Sequence, residues 1–477
     1  MMPRTGVALA SLLFLVSSGC WAQQWGQVRS QEAQIPGTPD FVWKQSLPIR
    51  WGDPGINSIG GTELRALVVF DQKLFAAVGY WMDTETANPA LPGAQVLRLD
   101  GPGAEWQVDL ELHDRNPLGL RTHMAISTLE KVRFSTDGAG RQLAAPIDLL
   151  LAATFKRGVG LDVFSRATGS SPWSRISLPG EEQAPRGTQI RAFSLHKDQI
   201  TGADIVFVGA THAIFAGTYD GEHRNIAWNS LPEWEGDPAG PPSGRARVAR
   251  IADCNGKLYA TSAGTIYERS DGRSPTWKKV FETTIHSDNS KVTGLRGLTC
   301  IRDSSRSSDV LLVGVEDNPA RIYRIDPHQT DPAGGYKATL ELDVSAFLTA
   351  ALGRETTYAI VPYNKMIEYP DPAGGCLRLL LGLEAITPQA PETFGKQHFN
   401  PHGYYLVRDC NGTYALREIR DLQIVPPPEL VAVRTLAVSP FQSDPAGTVY
   451  AGGFDANFNP VHNTAWLYKG VPTAAAQ

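Results

Sequence analysis

An arginine recurs at the same place in six stretches of the chain, where a run of alternating apolar residues begins. The six are Arg65, Arg133, Arg191, Arg247, Arg296 and Arg434. A guanidinium group binds a carboxylate or a sulfate through two parallel hydrogen bonds, so this set predicts a site for an anionic ligand. The alternative is architectural, with each arginine donating to backbone carbonyls of the neighbouring repeat. In an open site, the like charges need a ligand, water or carboxylates such as Glu63 and Glu130 to offset them.

Three side chains are candidates for proton transfer beside these arginines, namely His123, His402 and Tyr404. His402 and Tyr404 belong to the longest insertion between predicted strands, residues 384–404. Long loops on a rigid scaffold commonly carry function. A histidine or tyrosine base beside cations that neutralise a uronate carboxylate is what a polysaccharide lyase requires.

The sequence predicts neither a metal site nor a cofactor. His398 and His402 are four residues apart, but Pro401 between them disfavours the helix on which a His-Glu-x-x-His zinc site depends. Residues 455–459 alternate oxygen-bearing side chains as a calcium loop does, yet Trp466 stands where the last acidic ligand belongs. The chain contains no phosphate-binding glycine loop, dinucleotide fingerprint or Gly-x-Ser-x-Gly elbow.

The elements that must position these residues are short strands in a repeating order. Apolar residues alternate over 64–70 and again over 74–79 with a turn between, and this unit returns at 247–260, 296–314 and 434–452. A second unit is a strand, a turn and a strand that opens with an aromatic residue. The opening aromatics are Trp43, Trp106, Trp173, Trp228, Trp277, Tyr336 and Tyr414.

Seven repeats of this kind predict an all-β chain that folds as a seven-bladed β-propeller of four-stranded antiparallel blades. No strand precedes Trp43 and none follows the strand around Trp466, so we expect the N- and C-terminal strands to pair and close the ring. The predicted propeller spans residues 41–470, after an N-terminal extension at 23–40 and before a tail at 471–477.

The segment from Tyr267 to Val280 resembles the Asp-box hairpin of sialidase-like propellers, with Ser270-Asp271-Gly272 ahead of Thr276-Trp277. The spacing is irregular, and the other repeats keep only the aromatic residue. The resemblance implies a secreted bacterial propeller of that superfamily, in which Asp boxes lie in outer turns away from the active site. The chain has no Arg-Ile-Pro segment of the sialidase type, so the resemblance does not extend to sialidase activity.

Residues 1–22 have the pattern of a signal peptide, with Arg4, an apolar run at 7–16 and cleavage after Ala22. The alternative is a lipid anchor at Cys20, although Ser17 departs from the usual lipobox. No apolar run is long enough to span a bilayer. We therefore expect a periplasmic or secreted protein, and in an oxidising compartment two disulfides, Cys254–Cys300 and Cys376–Cys410.

The balance of 44 Lys and Arg against 49 Asp and Glu gives a net charge of −5, which offers no basic field for a nucleic acid. The predicted function is binding of an anionic glycan, or another small or polymeric anion, at an arginine-lined channel mouth. The alternatives are a glycan-acting enzyme, either a lyase or a glycoside hydrolase, and a structural scaffold for envelope proteins. The sequence leaves the oligomeric state open.

Overall fold

The computed structural model describes most of the predicted propeller region. The described residues are 40–47, 59–80, 93–156, 160–178, 189–236, 247–285, 294–302, 308–332, 334–370, 377–388, 390, 398–400, 402–425, 428, 430–454 and 464–473. The predicted signal peptide, the possible lipid site at Cys20 and nearly all of the N-terminal extension lie outside these residues and stay predictions.

The strands come in groups of four that pair with antiparallel neighbours. The first strand is β1 (Phe41–Leu47). The first group contains β2 (Glu63–Phe70), β3 (Lys73–Gly79), β4 (Ala94–Leu99) and β5 (Gln107–Leu112). The second contains β6 (His123–Thr136), β7 (Gln142–Lys156), β8 (Leu161–Arg166) and β9 (Ser174–Leu178). The third contains β10 (Ala192–Lys197), β11 (Asp204–Gly209), β12 (Ala213–Asp220) and β13 (Asn225–Trp228), with β14 (Trp234–Glu235) beside β12.

The same order continues through the second half of the chain. The fourth group contains β15 (Val248–Cys254), β16 (Lys257–Ser262), β17 (Thr265–Arg269) and β18 (Trp277–Glu282). The fifth contains β19 (Gly294–Arg302), β20 (Asp309–Glu316), β21 (Arg321–Thr330) and β22 (Tyr336–Asp343), and the short helix α1 (Val344–Leu352) follows it. Next comes a small pair, β23 (Tyr358–Ile360) with β26 (Glu384–Ile386). The sixth group contains β24 (Ile367–Pro370), β25 (Leu377–Gly382), β27 (Gly403–Arg408) and β28 (Tyr414–Ile419).

The last group joins the two ends of the described chain. Strands β29 (Ala432–Val438), β30 (Val449–Phe454) and β31 (Trp466–Pro472) pair in order, and β1 pairs with β31. Trp43 on β1 lies opposite Gly470, where any Cβ would meet the indole ring. The predicted all-β antiparallel architecture is confirmed, and Trp43 shares a sheet with Trp466 as expected.

Local sequence explains how the first two strands of a group are joined. Asp71 and Gln72 both adopt positive φ, 50° and 57°, between β2 and β3, and Asn255 and Gly256 do the same between β15 and β16. Two residues with positive φ form the tight turn whose twist matches paired strands. The turn therefore fixes the register that directs one face of each strand towards the neighbouring group.

The apolar core is divided among clusters that lie between consecutive groups. One cluster combines Val96 of the first group with Ile126 and Leu150 of the second, and another combines Leu151 of the second with Phe193 and Phe215 of the third. Side-by-side packing of four-stranded antiparallel sheets is the arrangement of propeller blades. Burial of apolar faces thus holds consecutive groups side by side.

The predicted disulfide between Cys254 and Cys300 is confirmed, with Cα atoms 5.3 Å apart. It links β15 to β19, the first strands of two consecutive groups. Cys410 is also disulfide-bonded, but Cys376 lies outside the described residues, so the Cys376–Cys410 pair stays a prediction. Disulfides persist in oxidising compartments. Within the described ranges, no helix has the length and apolar character needed to cross a bilayer.

Close approach between groups predicts the cost of adding one methyl group. A Cβ at Gly314 on β20 would overlap the carbonyl of Val361, so we expect Gly314→Ala to lower the free energy of unfolding by about 1–3 kcal/mol. Urea unfolding measures this. Gly103→Ala is the matched control because no atom lies within 4 Å of its would-be Cβ. Equal stability of the two variants would contradict the packing described here.

Candidate anion-binding site

Five of the six predicted arginines converge on one phenol ring. Arg65, Arg296 and Arg434 lie near the starts of β2, β19 and β29, while Arg191 and Arg247 directly precede β10 and β15. All five guanidinium groups interact electrostatically with Tyr363. Five first strands therefore bring distant parts of the sequence to one central cluster.

Tyr363 belongs to the connection between β23 and β24, which projects into this centre. The Arg434 guanidinium carbon lies 4.0 Å from the centre of the Tyr363 ring, and that of Arg296 lies 5.1 Å from it. The Asn364 amide donates to the carbonyls of Arg65 at 2.5 Å and Arg434 at 3.1 Å. Lys365 forms an ion pair with Glu130 on β6 at 3.0 Å. This connection thus crosses from the sixth group to the first, second and last.

Two buried glutamates neutralise three of the arginines. Glu63 lies 3.1 Å from Arg65 and also forms an ion pair with Arg434. Glu316 forms an ion pair with Arg296 and accepts a 2.5 Å hydrogen bond from Tyr358. Burial disfavours the charged form of Arg296, but Glu316, Tyr363 and Tyr358 together outweigh burial and raise the pKa of this arginine. These three arginines are therefore paired with carboxylates, whereas the architectural interpretation expected backbone carbonyls.

A third glutamate is buried with a perturbed carboxyl group. Glu384 on β26 is 6% exposed, and one of its oxygens lies 4.0 Å from the Arg434 guanidinium. Burial raises the pKa of Glu384 to about 7, against the attraction of Arg434. Glu384 is therefore only partly ionised near neutral pH.

Arg191 and Arg247 are the members of the cluster that come from the third and fourth groups. Arg191 donates through Nε to the Gln189 side chain at 2.9 Å. Burial, followed by repulsion from Arg247 and Arg296, lowers the pKa of Arg191 well below its usual value. Burial and Arg296 likewise lower the pKa of Arg247 to about 10, against the attraction of Glu316. Both arginines therefore stand in a field that favours an additional negative charge.

The cluster continues into a cavity further along the first strands. Arg191 and Arg250 line one part of it, beside Asn364 and Lys365. The adjoining part has a volume of about 320 Å³ and is lined by side chains that include Glu130, Arg250 and Lys365. Asn364 and Lys365, which follow Tyr363, thus line this cavity, and Arg191 belongs both to its lining and to the arginine cluster.

The sixth predicted arginine, Arg133, does not join the cluster. It lies late in β6, its side chain is 61% exposed, and it is 3.8 Å from Asp148 on the paired strand β7. Strand β6 begins at His123, ten residues earlier, so the repeat alignment assigns Arg133 to the wrong end of the strand. Glu130, expected near the arginine ring, instead accepts the ion pair from Lys365.

The three predicted proton-transfer residues occupy two separate places. His123 is 1% exposed, and its ring nitrogens lie 2.8 Å from Asp162 and 3.2 Å from Asp114. His402 and Tyr404 lie together at β27 with ring centres 5.3 Å apart, and His402 Nδ1 is 3.1 Å from Glu418. Burial and Glu418 raise the pKa of Tyr404 to about 12. Their described partners do not include the five clustered arginines.

Sequence reasoning missed Tyr363, Glu316 and Glu384. The repeat between those of Arg296 and Arg434 contributes no arginine to the predicted set of six. Tyr363 fills the centre from that repeat. The only sequence signal was the break in the arginine pattern itself, because which residue replaces the arginine depends on the path of the connection.

Comparisons with known proteins give distant structural matches only. No protein-family model matches the chain, and no curated protein does. An α-L-arabinofuranosidase from Fusarium graminearum shares 11% identity at a TM-score of 0.39, covering 94% of this chain and 99% of its own. A mutant NanB sialidase from Streptococcus pneumoniae shares 11% identity at a TM-score of 0.39, and the match covers 92% of this chain and 72% of the sialidase. AofleA from Arthrobotrys oligospora shares 9% identity at a TM-score of 0.35, and the match covers 75% of this chain and 86% of AofleA. At these scores the matches identify neither a family nor an activity for this chain.

The shared role of Glu63 predicts a strong effect of one isosteric substitution. Glu63→Gln removes the negative charge that neutralises Arg65 and Arg434, so both buried guanidinium groups lose this ion-pair partner. We expect a loss of about 3–5 kcal/mol in the free energy of unfolding, measured with urea. Arg133→Gln, on an exposed side chain, should change it by about 0.5 kcal/mol or less. Similar losses for both variants would show that the cluster is not structural.

The raised pKa of Glu384 predicts a pH dependence of stability. The unfolded carboxyl titrates near 4.5 and the folded one near 7, so the folded protein binds more protons between these values. Stability from this group is therefore complete below pH 4.5 and falls as the pH rises towards about 7. Glu384→Gln should remove this part of the slope in unfolding experiments across that range, whereas Glu368→Gln, at an exposed position, should not. If the difference in the free energy of unfolding between wild type and Glu384→Gln stayed constant across this pH range, the raised pKa of Glu384 would be contradicted.

Proposed function

We propose that this chain is an exported, seven-bladed, sialidase-like β-propeller that binds an anionic glycan at the arginine end of its central channel. Export rests on the predicted signal peptide, and the disulfide Cys254–Cys300 fits a periplasmic or secreted location. The glycan is proposed because acidic polysaccharides are the abundant polymeric anions that a protein outside the cytoplasm meets.

The ring arrangement is supported by backbone links between neighbouring groups. Counted over the described residues, seven groups of four antiparallel strands occur, with the seventh formed by β29, β30, β31 and β1. Each group contacts the next through at least one backbone hydrogen bond. The links are Tyr80 to Met124, Ile190 to Thr154, Val248 to Ala210, Leu295 to Ala263, Ala359 to Asp317, Val433 to Leu383 and Ala465 to Gly61. The last of these returns from the seventh group to the first, as a closed propeller requires.

The observation that carries the proposed function is the position of Arg191 among other cations. Its described hydrogen-bond acceptor is the uncharged side chain of Gln189, and burial, followed by repulsion from Arg247 and Arg296, lowers its pKa well below the usual value. A carboxylate or sulfate beside Arg191 would offset this repulsion and accept charge-assisted hydrogen bonds.

The position of Arg191 supports the part of the cluster formed by Arg191 and Arg247 as the ligand site. Its side chain reaches both the arginine cluster and the cavity beside Asn364 and Lys365. Arg65 and Arg434, in contrast, are buried against Glu63. We therefore assign Arg191 and Arg247 to ligand contact, and Arg65, Arg296 and Arg434 to the support of the site.

Substitution of Arg191 should weaken ligand binding more than it lowers the stability of the fold. We expect Arg191→Gln to weaken binding of an acidic glycan by at least about tenfold, since one charge-assisted hydrogen bond contributes roughly 1.5–3 kcal/mol. Calorimetric titration of the full mature chain with oligogalacturonate, oligoalginate, a heparin oligosaccharide and neutral cellohexaose measures this. Added salt should weaken the same binding by screening.

The matched control is Arg133→Gln, which removes an exposed arginine outside the cluster and should leave affinity unchanged. Equal binding of neutral and acidic oligosaccharides, or wild-type affinity in Arg191→Gln, would refute the proposed site. Binding of none of the acidic ligands would refute the proposed function.

A further inference from the structure

Tyr363 brings a phenol, a proton-transfer group, to the arginines that the proposed ligand would contact, because Arg191 and Arg247 both interact electrostatically with it. The residue is partly exposed, in contrast to the buried Glu63 and Glu316. The ring is held by Arg434 and Arg296, and the next residue, Asn364, is fixed by two hydrogen bonds to carbonyls of other groups. The phenol therefore has a defined position beside the cations that would bind a carboxylate.

We propose that Tyr363 is the catalytic base of a lyase reaction that cleaves uronate-containing polysaccharides by β-elimination. The inference rests on the proposed function, because the uronate carboxylate must be bound by Arg191 and Arg247 for the reaction to occur. It gives the anionic glycan a chemical class, a polyuronate, and gives the site an activity.

The surroundings of Tyr363 favour its ionised form. Burial alone acts to raise the pKa of the phenol, but Arg434, Arg191 and Arg296 outweigh burial and lower it. A general base is most effective when its pKa approaches the working pH. The other described tyrosine close to this cluster, Tyr358, donates its hydroxyl hydrogen to Glu316, and burial raises its pKa well above the usual value.

The reaction can be written with the groups present. The Tyr363 phenolate takes the proton from C5 of the uronate, whose acidity rises when arginines neutralise the neighbouring carboxylate. The C5–H electron pair forms the C4–C5 double bond, and the C4–O bond breaks. The leaving oxygen takes the proton back from the Tyr363 phenol, which restores the phenolate. One chain becomes two, one of them ending in a 4,5-unsaturated uronate, and no oxidant, reductant or water is consumed.

This assignment replaces the three residues that the sequence suggested for proton transfer. Both ring nitrogens of His123 face carboxylates of Asp114 and Asp162. Tyr404 lies on β27 and His402 directly precedes this strand, both beside Glu418. Tyr363 alone among these candidates interacts with the clustered arginines.

The test follows the ultraviolet absorbance of the unsaturated uronate when the full mature chain acts on polygalacturonate, alginate and heparin. We expect the wild type to form the product from at least one of them. Tyr363→Phe keeps the ring against Arg434 and removes only the hydroxyl, so its rate should fall by about 100-fold or more while affinity for the same polymer is retained. Tyr404→Phe is the matched control and should keep the wild-type rate.

The outcomes separate the two proposals. Binding of an acidic glycan by Arg191 without any unsaturated product would overturn the lyase and leave the binding function intact. Product formation that survives in Tyr363→Phe would overturn the role of Tyr363. Loss of both rate and affinity in Tyr363→Phe would show that the hydroxyl only supports the site, which also overturns its role as the base.

Discussion

The central constraint in this protein is the burial of several guanidinium groups in one place. Like charges brought together away from water repel one another and lose hydration, so they require carboxylates, hydrogen-bond acceptors or a bound anion. Glu63 and Glu316 supply that compensation for Arg65, Arg434 and Arg296. The first strands of different groups are therefore joined at their starts by charge as well as by the apolar clusters between the sheets.

The carboxylates of the cluster are unevenly distributed among the strands. Glu63 lies on the first group, Glu316 on the fifth and Glu384 on the small pair of β23 and β26, whereas Arg191 and Arg247 enter from the third and fourth groups. A repeat fold places equivalent positions at similar distances from its centre, but the residues at those positions need not be equivalent. The proposed function uses this difference, with three arginines in support of the site and two in contact with the ligand.

The sixth group breaks the repeat and brings a tyrosine to the arginine cluster. Its first strand, β24, is preceded by the connection that carries Tyr363, Asn364 and Lys365 into the centre. Asn364 satisfies carbonyls of the first and last groups, and Lys365 reaches Glu130 of the second. A single connection therefore ties together groups that are far apart in sequence and also sets the position of the phenol.

The sequence by itself determined the short antiparallel strands, the sheet that Trp43 shares with Trp466 and the Cys254–Cys300 bond, because alternation, turn residues and repeat spacing are local or periodic signals. It also selected five arginines that do converge. The tertiary structure decided the rest. Arg133 was misplaced because β6 extends well beyond the usual strand length, so counting along the repeat lost its register. The partners Glu316, Glu384 and Tyr363 could not be found from spacing, since they come from strand ends and one irregular connection whose meeting depends on three-dimensional packing.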